Sequence, residues 1–150
     1  MPIIRALEAT DREVYLDMAA EFYMSEAVCH NVPQIYLERT FEEMMRSDVY
    51  AEGFIFLNER EETAGYAIVS KMFSQEAGGM SVWIEEIYIR QAYRGHGIGK
   101  AFFAFYEALH PEMMRLRLEV DKKNTDAIRL YKKLGFQAVS YYQMGKDKPH

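Results

Sequence analysis

The residue types best suited to chemistry lie between positions 85 and 131. The segment Gln91-Ala92-Tyr93-Arg94-Gly95-His96-Gly97-Ile98-Gly99-Lys100 joins a run of β-branched and aromatic residues to an apolar helical stripe. Glycines at such a junction permit unusual backbone angles and close approach of a ligand. The amides at the start of the helix face whatever lies in front of them, which suits a phosphate or pyrophosphate. Arg94 and Lys100 add positive charge, Arg94 with a two-pronged guanidinium. Glu85 and Glu86 are adjacent carboxylates inside the preceding strand, where buried charge is costly. Strict alternation sends them to opposite faces of the sheet. Tyr131 lies on an apolar helix stripe, and from periodicity alone it reads as a core residue.

Three readings of the glycines compete. A Walker phosphate loop needs Gly-x-x-x-x-Gly-Lys-Ser/Thr; Gly95 to Gly99 is one residue short and Ala101 replaces the hydroxyl, which excludes it. A dinucleotide fingerprint needs Gly-x-Gly-x-x-Gly; Gly95, Gly97 and Gly99 are again one residue short, and a second mononucleotide-binding half has no room. A plain strand-to-helix turn without a ligand stays open on these residues alone.

The positioning elements are legible in outline. Residues 3–7 read as a strand, and Thr10-Asp11-Arg12-Glu13 as a capping box that opens a helix striped by Val14, Met18 and Phe22. Residues 27–33 form a loop, and Pro33 opens a second helix striped by Leu37, Phe41, Met44 and Met45. Strands follow at 53–57, 65–71 and 81–90, then a helix at 98–109. Charged and apolar residues alternate from Arg115 to Val120, a strand with one buried face. Asn124 or Thr125 can cap a helix striped by Ala127, Leu130, Tyr131 and Leu134, and Gly135 stops it. Residues 136–144 read as a last strand or a pair of short strands. Helices interspersed with strands make a mixed α/β domain.

A length of 150 residues suits one domain, 1–150, and a hydrophobic share of 49% supplies its core. A net charge of −5 argues against general nucleic-acid binding and suits a cationic substrate. The single cysteine, Cys29, excludes an intrachain disulfide, and no histidine spacing suggests a metal site. Neither a signal peptide nor an apolar run long enough to span a membrane is present, so a cytoplasmic protein without membrane partners is expected.

Arg94-x-x-Gly97-x-Gly99 resembles the Gln/Arg-x-x-Gly-x-Gly/Ala signature of the GNAT superfamily of acyl-CoA N-acyltransferases. Its setting strengthens the likeness: Trp83-Ile84-Glu85-Glu86-Ile87-Tyr88-Ile89 looks like that family's fourth strand. Residues 124–136 look like its second motif, Asn-x-x-Ala-x-x-x-Tyr-x-x-x-Gly-Phe. The likeness is close over residues 81–136 and extends over residues 1–75 only as a compatible order of elements. It implies a mixed, mostly antiparallel sheet flanked by about four helices, with one central strand pair splayed apart.

The resemblance also implies roles. Amides of Gly95, His96, Gly97, Ile98, Gly99 and Lys100 would hold the pyrophosphate of acetyl-CoA, with Arg94 shaping the loop. Ile87, Tyr88 and Ile89 would pair with the pantetheine arm, and Asn124 would contact that arm or order the site. Tyr131 would protonate the departing thiolate. In polyamine-acetylating relatives the glutamate nine residues before the loop arginine is the base, directly or through water, which here would be Glu85; many other members of the family use a water chain instead. The acceptor would be a small-molecule or peptide amine, attacked directly in a ternary complex and without a metal. Phe22, Tyr23, Glu26, His30, Asn31, Glu86, Tyr141 and Tyr142 are the residues offered to it. This fold often dimerises, so a homodimer stays open. The alternative function is a CoA-binding sensor or regulatory module without chemistry.

Overall fold

The computed structural model describes residues 1–25 and 31–149. Two compact units are distinguished, Met1–Glu119 and Val120–His150. The first holds a five-stranded sheet in the order β1 (Ile3–Ala6), β2 (Glu52–Leu57), β3 (Thr63–Ser74), β4 (Gly79–Ile89) and β5 (Arg115–Leu118). The first four strands are joined antiparallel; β4 and β5 run parallel, joined through α3 (Ile98–Leu109). The fold class is the expected one: a mixed, mostly antiparallel sheet, with four α-helices among the described residues. Among the described residues no helix is long and apolar enough to cross a membrane.

Period-two alternation divides the sheet's side chains between two cores. Ile55, Tyr66 and Ile68 face α1 (Arg12–Tyr23) and α2 (Gln34–Arg46), and pack with Tyr15, Met18, Ala19, Leu37, Phe41 and Met44. Phe54 and Phe56 point the other way, onto α3, with ring centroids 5.7 and 5.3 Å from Phe102. Tyr15 meets Tyr66 edge-on at 5.1 Å, a favoured arrangement of ring quadrupoles. On α2, Met45 is exposed rather than part of the buried stripe. The buried stripe of α1 is Tyr15, Met18 and Ala19, while Val14 and Phe22 of the expected stripe are only partly buried.

Entry into α1 differs from the expected capping box. A 3-10 turn, Ala9–Asp11, precedes the helix, and Thr10 caps nothing. Asp11 takes over: its carboxylate accepts the Glu8 amide at 2.8 Å and two bonds from the Arg5 guanidinium at 2.8 and 3.0 Å. This fork holds the buried Asp11 carboxyl below its ordinary pKa, against the effect of desolvation. Further on, Asn58 builds the β2–β3 turn by accepting the amides of Arg60 and Glu62, each at 2.9 Å.

The second unit contains α4 (Thr125–Lys133). Its start is as expected, with Asn124 Oδ1 accepting the Ala127 amide at 3.3 Å. Gly135, at φ +97°, follows the helix in the left-handed conformation that glycine permits. No strand forms over residues 136–144; that stretch lacks regular structure, and Tyr141 and Tyr142 are exposed. The apolar and aromatic residues there do not suffice, because a strand needs a ladder partner.

Gly65 lies on β3 opposite Ile89, and a Cβ added to it would stand 2.1 Å from the Tyr88 carbonyl oxygen. Backbone cannot yield as a flexible side chain can. Gly65→Ala is therefore expected to cost about 1–3 kcal/mol of stability in urea denaturation, and to push β4 away from β3 at Tyr88. Unchanged stability would contradict this tight packing.

Candidate active site

The register between β3 and β4 contains one irregularity. Ile68 pairs with Glu86 and Val69 pairs with Ile84, so Glu85 is an extra residue without a cross-strand partner. A β-bulge of this kind breaks the alternation of side chains. Glu86 accepts hydrogen bonds from the hydroxyls of Tyr66 (2.7 Å) and Tyr23. Glu85 accepts from the Ser70 hydroxyl at 2.7 Å. Tyr66 and Ser70 are four apart on β3 and share a face, so both carboxylates reach the same side of the sheet. The expectation of opposite faces is corrected by that one inserted residue.

The two carboxylates nevertheless differ in environment. Glu85 is exposed. Glu86 is half-buried, and burial raises its pKa above the ordinary carboxylate value; the two phenols oppose that rise, and the charge of Glu85 adds to it. Burial, then the bond to Glu86, pushes the Tyr23 phenol well above its usual pKa. Tyr23 and Tyr66 therefore stay protonated donors and orient Glu86, while Glu85 is accessible from solvent.

Beyond the bulge, β4 has an unpaired edge. Its parallel pairing with β5 runs from Ser81↔Arg115 to Ile84↔Leu118 and stops. On the other edge β3 continues to pair with Ile87, Tyr88 and Ile89. Among the described residues, the β5-side edge of β4 over residues 85–89 has no strand partner, so it offers backbone donors and acceptors to another extended group.

That edge leads directly to the glycine loop. After a 3-10 turn, Gln91–Tyr93, Gly95 and Gly97 take φ +81° and +78°, and a Cβ at either would meet nothing within 4 Å. The left-handed backbone favours glycine at both positions, and the space in front of them is open. Gly97 is the N-cap of α3, and the first helical bond is donated by Ala101 to the Gly97 carbonyl at 3.0 Å. The amides of Ile98, Gly99 and Lys100 precede that bond and lack intrahelical acceptors. Such donors, at the positive end of a 12-residue helix, suit a phosphate group. Arg94 Nε donates to the Ile89 carbonyl at 2.8 Å, and its guanidinium lies 5.9 Å from the Tyr88 ring centroid. Arg94 thus ties the loop to the end of the strand. His96 is exposed in the loop.

Phe22 and Tyr23, at the end of α1, meet the same face as the carboxylates. Phe22 lies 5.0 Å from Tyr23 and 5.7 Å from Tyr88, ring to ring, and the Tyr88 ring is 6.0 Å from that of Tyr66. Glu26, His30 and Cys29 lie outside the described residues. In the second unit, Tyr131 packs edge-on against Phe136 at 5.7 Å, and burial raises its phenol above the ordinary value. Asn124 acts there as a helix cap, and Tyr141 belongs to the exposed stretch already described.

Sequence reasoning missed Tyr66, Ser70, Glu21 and Arg90. Each reaches the site across strands or from α1, through the β3–β4 register, which linear spacing does not reveal.

Comparison with known proteins bears directly on this arrangement. The family model described as Acetyltransferase (GNAT) family matches residues 14–136. Thialysine N-epsilon-acetyltransferase from Mus musculus is 28% identical over 151 residues, spanning 91% of this chain and 85% of the mouse protein. A possible acetyltransferase from Clostridium difficile 630 has the same fold at a TM-score of 0.83 and 16% identity, over 100% of this chain and 99% of that one. A predicted acetyltransferase from Clostridium acetobutylicum, solved with acetyl-CoA, matches at a TM-score of 0.77 and 18% identity, over 97% of this chain and 96% of that one. The bulged strand, its open edge and the glycine loop all fall within the matched span, and the chain belongs to the acetyltransferase (GNAT) family.

Proposed function

We propose that this protein is an N-acetyltransferase that moves the acetyl group of acetyl-CoA to a primary amine on a small cationic acceptor. The observation that carries the reading is the β5-side edge of β4 over residues 85–89, without a strand partner among the described residues, in one segment with the bare first turn of α3. The strand edge suits the amide-bearing pantetheine arm, and the helix start with its two left-handed glycines suits the pyrophosphate. Asn124 is assigned to the pantetheine side by its place in the second motif.

Acceptor chemistry is read from one face of the sheet. Glu85 and Glu86 supply negative charge beside Phe22, Tyr23 and Tyr88, a combination that attracts an ammonium. The mouse relative is named for acetylating the N-epsilon of thialysine, which supports a side-chain-like amine. Glu85 is the proposed base: it is exposed, one oxygen is oriented by Ser70, and Oε2 is left for the acceptor. It takes a proton from the ammonium, and the freed lone pair attacks the thioester carbonyl. Amides of β4 near the bulge would stabilise the oxygen as it gains charge. The C–S bond then breaks; Tyr131, assigned here by its place in the second motif, donates its phenolic proton to the departing sulfur, and the second proton of the attacking nitrogen returns through solvent to the tyrosinate. The raised pKa of Tyr131 keeps the phenolic proton in place at neutral pH. Glu86, clamped by two phenols, orients the acceptor rather than exchanging protons.

The first test is thiol release from acetyl-CoA across polyamines, amino acids including lysine analogues, aminoglycosides and short peptides. Release above background with one amine class is expected. A silent panel, with CoA binding confirmed in parallel, would favour a sensor without chemistry.

Two substitutions test the proton handlers. Tyr131→Phe should lower kcat by about 10²-fold with little change in CoA affinity, measured by steady-state kinetics and calorimetry; full activity would remove its acid role. For Glu85→Gln, the loss in kcat/KM should be greatest at low pH. An alkyl ammonium titrates near a pKa of about 10, so free amine is scarcest there and the base matters most. An unchanged pH profile would count against Glu85.

A further inference from the structure

Glu21 belongs to neither sequence motif, yet three donors converge on it. Its Oε2 accepts the Tyr88 hydroxyl at 3.0 Å and Arg90 Nε at 3.3 Å, and its Oε1 accepts Arg90 Nη2 at 3.1 Å. The two residues it holds flank Ile89, at the end of the open edge of β4. Arg90 is pinned further: its amide donates to the Ala64 carbonyl at 2.8 Å and its Nη1 to the Thr63 carbonyl at 3.4 Å. Tyr88 passes the constraint on. Its ring stands among Phe22, Tyr66 and the Arg94 guanidinium, and Arg94 in turn holds the Ile89 carbonyl.

We infer that Glu21 is a positioning residue for cofactor binding, which sets the end of β4 and the mouth of the glycine loop through Tyr88 and Arg90. The inference rests on the proposed use of CoA and adds a residue to it. It also joins the two halves of the reaction, because Glu21 stands one residue before Phe22 and two before Tyr23 on α1. The Glu21 side chain is 42% exposed and that of Arg90 27%. An ion pair at such exposure contributes little to folding stability. Its loss therefore registers in ligand affinity, where a two-pronged arginine contact and an oriented phenol fix geometry.

The test uses CoA itself as the probe, with calorimetric affinity and thermal melting measured on the full chain. Glu21→Ala should weaken CoA binding about fivefold or more while shifting the melting temperature by no more than about 3 °C. Glu21→Gln, whose amide oxygen still accepts from Tyr88, should recover a large part of the affinity. Tyr88→Phe should weaken CoA on its own but add nothing in the Glu21→Ala background, as expected of residues in one network. CoA affinity unchanged by Glu21→Ala, or fully additive effects of the two substitutions, would overturn the inference. Should Glu21→Ala fail to fold, Tyr88→Phe removes one hydroxyl from the same link, and unchanged affinity there would overturn it equally. A wild-type protein that does not bind CoA would remove the acyltransferase reading and this inference with it.

Discussion

One inserted residue in β4 organises the site. With Glu85 unpaired between Ile84 and Glu86, the strand keeps its hydrogen bonds to β3 but loses its alternation. Two carboxylates that a regular strand would send to opposite faces then share one, beside Tyr66 and the end of α1. At the same place the pairing with β5 stops, after Ile84↔Leu118. A bulge bends and twists its strand, and here it coincides with the change from a fully paired strand to one with a free edge. The face that carries the two carboxylates and the open strand edge are thus two sides of one irregularity.

A half-buried carboxylate is costly unless its oxygens are bonded, and this sets what surrounds Glu86. Two tyrosines meet the demand, one from β3 and one from α1. Their presence lets Glu86 stay within the fold and leaves Glu85 to face solvent. The same contacts hold α1 against the sheet: Tyr23 to Glu86, and Glu21 to Tyr88 and Arg90. Helix α1 is therefore fixed to the site at its C-terminal turn by polar links and along its middle by the Tyr15, Met18 and Ala19 core. Arg94 plays a similar part for the loop, spending one donor on Ile89 so that the strand end and the helix start keep a set spacing.

Much of this was legible from residue types. Glycines 95 and 97 do take left-handed angles, α3 begins at Ile98, Asn124 caps α4, and Gly135 follows it with positive φ. These are local matters, settled by a few neighbouring residues. What the sequence withheld is non-local. The bulge at Glu85 is a property of the pairing with β3, and neither strand alone records it. Asp11 rather than Thr10 controls the start of α1 because Arg5, on a strand, reaches it. Residues 136–144 are rich in strand-forming residues but make no ladder, since a strand is defined by its partner.

The account depends on the unpaired backbone of β4 and the first turn of α3 being the surface that holds the cofactor. Amide hydrogen exchange, read residue by residue with and without CoA, tests this directly. Protection induced by CoA is predicted in residues 87–89 and 95–100, with little change along β1 and β2. CoA binding with no added protection in either segment, or with protection confined elsewhere, would contradict it.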